Sequence, residues 1–367
     1  MNSKLHSYLL SRMMTLRNGA CTLVCLLSLA AFAGGSPLAT ATPSMTPYER
    51  EFVSLDGATR RERFLDADWR KRVCLEESDA RKSQGCGCAA ADELPRVVRV
   101  PNVPNFRDIG GWRGLGGRRI REGMVYRSGG LNDNSHVYYK PEEVIAFYRD
   151  GTLESRFGEE GRKVKAKIEG DGGADKINPK ASYLRRALIK ERCPGKSRLT
   201  PEGLAFLVDG LGIKTDLDLR RDREVWGMEG SPAGPSVRWV NVSFCYYSQI
   251  AKPEGKETFA KCFRLFLDKG NYPFVVHCIG GADRTGTLCH VLKALLGVSD
   301  DDLAKDWEFT CFSYDGQDFG HKRYDSLVAA MAAYPGATTC EKSEAYVRDC
   351  GFTDEDIKRF RDLMLED

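Results

Sequence analysis

The sequence predicts an α/β domain in which helices cover both sides of a parallel or mixed sheet. Short strand-like segments at 215–219 and 274–277 alternate along the chain with longer amphipathic segments at 200–210 and 257–269. This alternation is typical of strands joined by helical connections. The apolar segment 274–277 also runs directly into a glycine-rich loop, which is characteristic of a strand buried on both faces.

The remaining elements follow in chain order from similar patterns. The polar segment 46–82 is predicted to form short surface helices, and strands are predicted at 97–100, 124–128, 215–219, 237–244 and 274–277. Thr200 followed by Pro201 marks a helix start, and Gly297 can end the helix predicted at 284–296. Residues 132–198 are predicted to be an insertion, either a solvated helical excursion or a lid over a pocket.

The chain ahead of residue 42 has the pattern of an export signal. Positive residues precede an almost wholly apolar run at 20–33, and small residues follow it. This run is short for a membrane span, so a secretory signal is favoured over the alternative of an uncleaved anchor. We predict a signal peptide over 1–41, a helical segment over 42–97 and a functional domain over 98–367, in a secreted or periplasmic protein without stable membrane association after cleavage.

Net charge and cysteine content limit the classes of function that the protein can have. A formal net charge of +3 over 367 residues gives no basic field for binding nucleic acid. Two of the 13 cysteines lie in the predicted signal, which leaves 11. An odd number in an oxidising compartment predicts disulfides and one free thiol. Cys86 and Cys88 are expected to be disulfide partners, because no second ligand pair follows at zinc-like spacing; no metal or cofactor is predicted.

The segment 275–286 carries the chemistry and reads Val-Val-His-Cys-Ile-Gly-Gly-Ala-Asp-Arg-Thr-Gly. A strand brings Cys278 to a tight loop, and a helix begins where the loop closes, which favours the reactive thiolate. Arg284 can hold two phosphoryl oxygens through its planar guanidinium. The backbone amides between these two residues can form an anion-binding nest: Ile279, Gly280, Gly281 and Ala282. Together they predict covalent phosphoryl transfer.

Other residues of this segment have supporting roles. His277 is expected to orient the cysteine rather than act as a base, and Thr285 can donate a hydrogen bond to the departing sulfur. A leaving alkoxide or phenolate needs a proton, and Asp283 is the favoured general acid. Asp218 and Asp222, which flank a strand end, are the alternatives. Each of these two could equally form a salt bridge with one of the neighbouring arginines, Arg220, Arg221 or Arg223.

Residues 277–286 resemble the His-Cys-x5-Arg-Thr-Gly signature loop of the cysteine-dependent protein tyrosine phosphatases. The pattern resembles the bacterial tyrosine phosphatase family, in which Asp directly precedes the Arg. Similar stretches are Asn105-Phe106-Arg107-Asp108 with Gly110-Gly111, then Tyr126-Arg127-Ser128-Gly129, then Gly212-Ile213 and Asp218-Leu219-Arg220. The resemblance covers about 98–131 and 199–315, including a C-terminal continuation at 300–310.

This resemblance implies a dual-specificity-phosphatase-like fold, with a central mostly parallel sheet flanked by helices, and metal-free hydrolysis of phosphomonoesters. Cys278 would be the nucleophile and Arg284 the phosphate clamp. The resemblance also implies a group of residues that buttress or line the substrate pocket: Arg107, Asp108, Arg127 and Asp218.

Three substrate or activity classes remain open at this stage. The favoured one is a phosphorylated protein or small phosphomonoester, with phosphotyrosine first and phosphoserine or phosphothreonine in addition. A phosphoinositide or inositol-phosphate phosphatase would need a basic pocket, for which Arg220 and Arg223 are available with Arg107 and Arg127. Ala282 argues against this class, because many relatives have Lys at that position. A catalytically silent phosphate-binding module is the third, although it would need no nucleophile.

Overall fold

The computed structural model describes residues 43–90, 92–133, 137–173, 195–313 and 321–367, with scattered positions between 174 and 194. The predicted signal peptide lies outside these residues. The strands are β1 (Gly87–Cys88), β2 (Val98–Arg99), β3 (Arg107–Asp108), β4 (Val125–Ser128), β5 (Val137–Tyr138), β6 (Ile189–Glu191), β7 (Thr215–Asp218), β8 (Arg238–Asn241) and β9 (Phe274–His277).

The α-helices of the described residues are short to medium in length. They are α1 (Pro47–Ser54), α2 (Gly57–Leu65), α3 (Ala67–Ser83), α4 (Pro141–Arg149), α5 (Leu153–Gly170), α6 (Pro201–Ala205), α7 (Pro253–Phe266), α8 (Asp283–Leu295), α9 (Asp300–Glu308), α10 (His321–Ala332), α11 (Thr339–Asp349) and α12 (Asp354–Met364). Within the described residues, no helix combines the length and the apolar character needed to cross a membrane.

The centre of the fold is a five-stranded sheet in the order β3-β4-β9-β7-β8. Strands β4, β9, β7 and β8 are parallel, and β3 runs antiparallel at one edge. Ser128 on one side and Asp218 on the other pair with His277. The carboxyl ends of the three central strands therefore lie together at one edge of the sheet. The predicted mostly parallel sheet with flanking helices is confirmed.

The sheet is apolar on both faces because it separates two cores. On β9, Phe274 and Val276 belong to the larger core, and Val275 belongs to a smaller core on the opposite face. This alternation follows from the two-residue period of a strand. Helix α8 is buried along almost its whole length. The loop between β9 and α8 is therefore held at both ends by buried elements.

The N-terminal helices share the larger core with the sheet. Their buried aromatic side chains, Phe52, Phe64 and Trp69, pack against Trp307 and Phe312 in the C-terminal half of the chain. In addition, the buried Arg60 of α2 pairs with Glu308 of α9 at 2.7 Å. Removing one partner of such a buried pair leaves an uncompensated charge. The segment 43–97 thus contributes to the core of the domain.

The insertion has a small apolar core of its own. That core comprises Val144, Ile145, Leu153, Val164, Ile168, Leu184 and Leu188. Its two ends meet in a neck, where the amide of Asp133 donates to Lys196 (2.8 Å) and the amide of Arg198 donates to Leu131 (2.8 Å). These contacts match a helical excursion, and a role as a lid stays a prediction.

The cysteines do not form the expected disulfides within the described residues. Ten of them are free thiols there, including Cys86 and Cys88. Extended backbone separates the Cα atoms of residues i and i+2 by roughly 6.6 Å, which is near the upper limit for a disulfide. Others, such as Cys262 and Cys289, are buried in the larger core. Burial raises the pKa of both thiols, and they pack as small apolar side chains.

Candidate active site

The loop between β9 and α8 places Cys278 at the carboxyl edge of the sheet. Strand β9 ends at His277, and α8 begins at Asp283, close to the predicted boundaries. Gly281 has a φ of +69°, and a Cβ atom there would lie 2.4 Å from the carbonyl oxygen of Ser128. The tight turn of the loop therefore requires glycine at this position.

The carbonyl groups of the loop point away from its centre. Four successive carbonyl oxygens of the loop accept hydrogen bonds from groups around it. The Cys278 carbonyl accepts from His277 Nδ1 (3.2 Å), and the Ile279 carbonyl accepts from the Gly130 amide (2.9 Å). The Gly280 carbonyl accepts from Asn105 Nδ2 (3.2 Å), and the Gly281 carbonyl accepts from Arg127 Nη2 (2.7 Å). Each carbonyl is trans to the next amide N–H, so the amides of 279–282 turn inward. Within the described residues these amides donate no hydrogen bond. They form a nest at a helix start, suited to an anion.

Arg284 interacts with Cys278 and is 8% exposed. Its Nη1 donates to the carboxylate of Glu224 (2.5 Å) and to the carbonyl of Leu219 (3.3 Å). Burial would lower the pKa of Arg284, but its electrostatic interactions with Cys278 and Glu224 outweigh burial and raise that pKa. Burial would likewise raise the pKa of Glu224, and Arg284 lowers it. Glu224 also accepts from Arg284 Nη2 at 3.5 Å, so it holds the Nη1–Nη2 edge of the guanidinium and leaves the Nε–Nη2 edge open to an anion.

Three buried cations meet one buried carboxylate close to the loop. The Oδ1 atom of Asp306 lies 2.7 Å from Arg107 Nε. Its Oδ2 atom lies 2.7 Å from Arg127 Nη1 and 2.5 Å from Lys293 Nζ. Burial would raise the pKa of Asp306, but the three cations hold it well below its ordinary range. Because Arg127 also donates to the Gly281 carbonyl, this Asp306 cluster is tied to the loop. Arg107 and Arg127 therefore buttress the loop from within the core.

The carboxylates of Asp108 and Asp218 have no exposed surface. Asp108 accepts from Arg96 (2.5 Å) and from the amides of Gly110 and Gly123. Asp218 is held by the Nε and Nη2 atoms of Arg220, at 2.9 and 2.6 Å. Internal partners occupy both carboxylates, as a buttressing role would require, and a role in lining the substrate pocket stays a prediction. The strand-end position that suggested the lining role also suits a buried ion pair.

His277 is fully buried between the sheet and the loop. Its Nε2 lies 2.8 Å from Asp216 Oδ1, and its Nδ1 donates to the Cys278 carbonyl. Burial would lower the pKa of His277, but Asp218 and Asp216 outweigh it and raise that pKa. A doubly protonated ring can donate on both sides, which fits the predicted orienting role. Thr285 is buried and its hydroxyl has no protein partner among the described residues; its bond to sulfur stays a prediction.

Asp283 opens helix α8, and its side chain is 32% exposed. Its Oδ1 atom accepts a hydrogen bond from the Tyr247 hydroxyl at 2.5 Å and lies 3.6 Å from Arg323 Nη1. Of the alternative acids, Asp218 is buried in an ion pair, and Asp222 is exposed on a 3₁₀ turn. Asp283 combines a place in the signature loop with an accessible carboxyl group, so it remains the favoured acid.

Sequence reasoning missed the residues that hold this site from a distance. Glu224, Lys293 and Asp306 come from three different elements and meet their partners only in the folded chain. One local signal existed for Glu224: its carboxylate accepts from the amide of Arg221, three residues earlier, as in a capping box. No comparable local pattern marks Asp306, whose three partners lie as far as 199 residues away.

Comparison with known proteins agrees with this geometry. A profile of the tyrosine phosphatase family matches residues 98–138 and 183–366, which is well over half of the chain. The chain therefore belongs to the tyrosine phosphatase family, as the signature loop indicated. A Cupriavidus necator protein, provisionally named a tyrosine-protein phosphatase, is 26% identical over 226 residues. The match covers 59% of this chain and 63% of the relative, so the chain spans less than two thirds of that protein's length.

Proposed function

We propose that the chain is an exported phosphatase that hydrolyses phosphotyrosine monoesters, with phosphoserine and phosphothreonine as further substrates. The reaction passes through a phosphorylated Cys278. The observation that carries the proposal is the convergence on one loop of a cysteine, four inward amides, a helix start and Arg284. This set of groups suits a phosphoryl group better than any other common anion, because it pairs a planar clamp with a nucleophile.

In the first half of the reaction, the Cys278 thiolate attacks phosphorus. The S–P bond forms while the bond from phosphorus to the ester oxygen breaks, and that oxygen takes a proton from Asp283. Charge on the three non-bridging oxygens is met by the amides of 279–282 and by Arg284. Glu224 keeps the guanidinium in plane with those oxygens.

In the second half, water replaces the leaving group. The Asp283 carboxylate accepts a proton from a water molecule while the oxygen of that water attacks phosphorus. The S–P bond breaks, and its electron pair returns to the sulfur of Cys278. Inorganic phosphate leaves, and the protonated acid is ready for the next ester.

A substrate with one phosphate suits the site better than an inositol polyphosphate. An inositol-phosphate phosphatase would need a wide pocket lined with unpaired arginines. Here Arg107 and Arg127 pair with Asp306, and Arg220 pairs with Asp218. All three guanidinium groups are buried. Ala282 adds no cation to the loop. These features support a monoester of a protein or small molecule.

Export is supported by the residue pattern of 1–41, with its positive start and apolar run. Expression of the full chain with a C-terminal tag, followed by fractionation and N-terminal sequencing, tests this proposal. A mature N-terminus near residue 34 or 42 in the periplasm or medium is the expected result. An intact N-terminus in the membrane fraction would instead indicate an anchor.

The activity is tested on the chain from residue 42, with reducing agent and without added metal. Turnover is measured on a phosphotyrosine peptide, a phosphoserine peptide and inositol hexakisphosphate. The informative variant is Cys278→Ser, and the matched control is Cys86→Ser, the same change at a free thiol outside the loop. We expect turnover of the phosphotyrosine peptide that Cys278→Ser abolishes and Cys86→Ser retains.

Each contrary outcome points to a different protein. Preference for inositol hexakisphosphate would establish the inositol-phosphate class in place of the protein phosphatase. Folded, reduced protein that binds phosphate but turns over none of the three substrates would be a binding module. Activity that survives Cys278→Ser would refute the cysteine mechanism itself.

A further inference from the structure

Tyr247 makes a contact with the candidate acid that the proposed reaction has not used. Its hydroxyl donates to Asp283 Oδ1 at 2.5 Å, and the tyrosine is 3% exposed. Burial, followed by the charge of Asp283, raises the pKa of Tyr247 above its ordinary value. The phenol therefore keeps its proton and acts as a donor to the carboxyl group at every pH at which the protein works.

The tyrosine is fixed at its backbone as well as at its hydroxyl. Its amide donates to Thr287 Oγ1 (2.8 Å), and the Thr287 hydroxyl donates to the carbonyl of Asp283 (2.8 Å). Its ring packs edge-on against Trp307, with 6.5 Å between centroids. Tyr247 also has a φ of +52°, a conformation that costs a bulky residue about 1–2 kcal/mol. The surrounding structure therefore holds this side chain in place against an unfavourable backbone angle.

The two oxygens of Asp283 have different surroundings. Oδ1 faces Tyr247 and, at 3.6 Å, the largely exposed Arg323. Within the described residues, Oδ2 accepts no hydrogen bond and enters no ion pair. A carboxyl group that accepts a strong hydrogen bond on one oxygen favours its acid proton on the other, because the unprotonated C=O oxygen is the better acceptor of the two.

We propose that Tyr247 is a positioning residue for catalysis: by occupying Oδ1 it directs the transferable proton of Asp283 to Oδ2 and holds Oδ2 toward the leaving oxygen. This inference rests on the proposed phosphatase reaction and its choice of Asp283 as acid. In the first half-reaction the Oδ2–H bond breaks, its proton joins the ester oxygen, and the electron pair remains on the carboxylate. In the second half, Oδ2 takes a proton from the attacking water. Tyr247 keeps its own proton throughout.

A reaction that needs the acid can be separated from one that does not by changing the leaving group. Dinitrophenolate leaves without a proton, whereas phenolate depends on the general acid. We therefore compare phenyl phosphate with dinitrophenyl phosphate for the wild type, Tyr247→Phe, Asp283→Asn and the double variant. The matched control is Tyr246→Phe, which removes a hydroxyl from the neighbouring residue without touching Asp283.

For Tyr247→Phe we expect kcat on phenyl phosphate to fall roughly tenfold or more, as the loss of one charge-assisted hydrogen bond would give. On dinitrophenyl phosphate the fall should stay within about twofold, with KM little changed on both esters. Asp283→Asn should show the same selectivity with a larger loss. Because Tyr247 acts through Asp283, the double variant should be no slower than Asp283→Asn alone. Tyr246→Phe should behave as wild type.

Equal losses on both esters in Tyr247→Phe would overturn the proposal and leave a structural role. Additive losses in the double variant would overturn it too. If Asp283→Asn itself lacks leaving-group selectivity while Cys278→Ser is inactive, the phosphatase stands and both Asp283 and Tyr247 lose their roles. If Tyr247→Phe does not fold, Thr287→Val removes the hydroxyl that anchors the Tyr247 amide. The same selective loss on phenyl phosphate is expected from it, and an unselective loss refutes the proposal.

Discussion

Replacing Asp306 by Asn removes one negative charge from the Asp306 cluster without changing the size of the side chain. The carboxylate contacts Arg107, Arg127 and Lys293 at 2.5–2.7 Å, and none of the four side chains is more than 3% exposed. The amide of Asn can accept from one cation at its oxygen but presents a donor to the others. The other buried cations then lose their negatively charged partner, although Arg107 and Arg127 keep backbone carbonyl acceptors.

The cost follows from the burial of these charges. Removing one partner of a buried ion pair typically destabilises a protein by about 3–5 kcal/mol. Lys293 can limit the loss by releasing its proton, since burial already lowers its pKa. We therefore expect Asp306→Asn to lower the free energy of unfolding by about 3 kcal/mol, a large share of the stability of an ordinary domain. Loop geometry should suffer as well, because Arg127 binds both Asp306 and the Gly281 carbonyl.

Urea denaturation of the two proteins at neutral pH measures this difference. The matched control is Asp362→Asn, the same chemical change in an exposed pair with Lys358, which should cost no more than about 0.5 kcal/mol. Adding Lys293→Met to Asp306→Asn removes one of the stranded cations and should recover part of the stability. A loss below about 1 kcal/mol in Asp306→Asn, or no recovery in the double variant, would refute the reasoning.

Two further predictions concern the loop and its clamp. Glu224→Gln weakens the pairing that orients Arg284 and should lower kcat/KM on an aryl phosphate roughly tenfold, in steady-state kinetics; unchanged kinetics would contradict the role of Glu224. Gly281→Ala places a Cβ atom 2.4 Å from the Ser128 carbonyl oxygen at a φ of +69° and should lose most activity together with about 2–4 kcal/mol of stability. Gly116→Ala, at a φ of +65° with no atom within 4 Å, should cost about 1 kcal/mol and keep full activity, and equal effects in the two glycine variants would contradict the steric argument.

Local sequence patterns were enough to predict the sheet and the loop. The strand over 274–277 is a short apolar run, and its glycine-rich continuation and Arg284 stand within seven residues of Cys278. Each feature depends on neighbours in the chain, so the pattern and the structure have the same cause. The helix starts were predicted in the same way: the Thr200 hydroxyl accepts from the amide of Gly203 at 3.0 Å, as its place before Pro201 indicated.

Which charged residues are buried in ion pairs could not be predicted in this way. Asp218 stands at a strand end in a charged stretch, and this position suits a pocket residue and a buried ion pair equally well. Its choice of Arg220 depends on the burial that the neighbouring strands impose. The same holds for Arg107, which meets Asp306 across 199 residues. Composition also misled the prediction of disulfides, because an odd cysteine count says nothing about which thiols are near each other.

The overall charge of the chain conceals how positive the surroundings of the nucleophile are. The formal net charge is +3 over 367 residues, yet in the Asp306 cluster three cations face one carboxylate inside the core. Charges buried in this way are weakly screened, so their excess acts on the loop above them more strongly than surface charges would. They favour an anion at the loop, which supports the proposed binding of a phosphoryl group there. Because these cations already lie behind the loop, the monoester substrate proposed above would need no basic rim around the pocket.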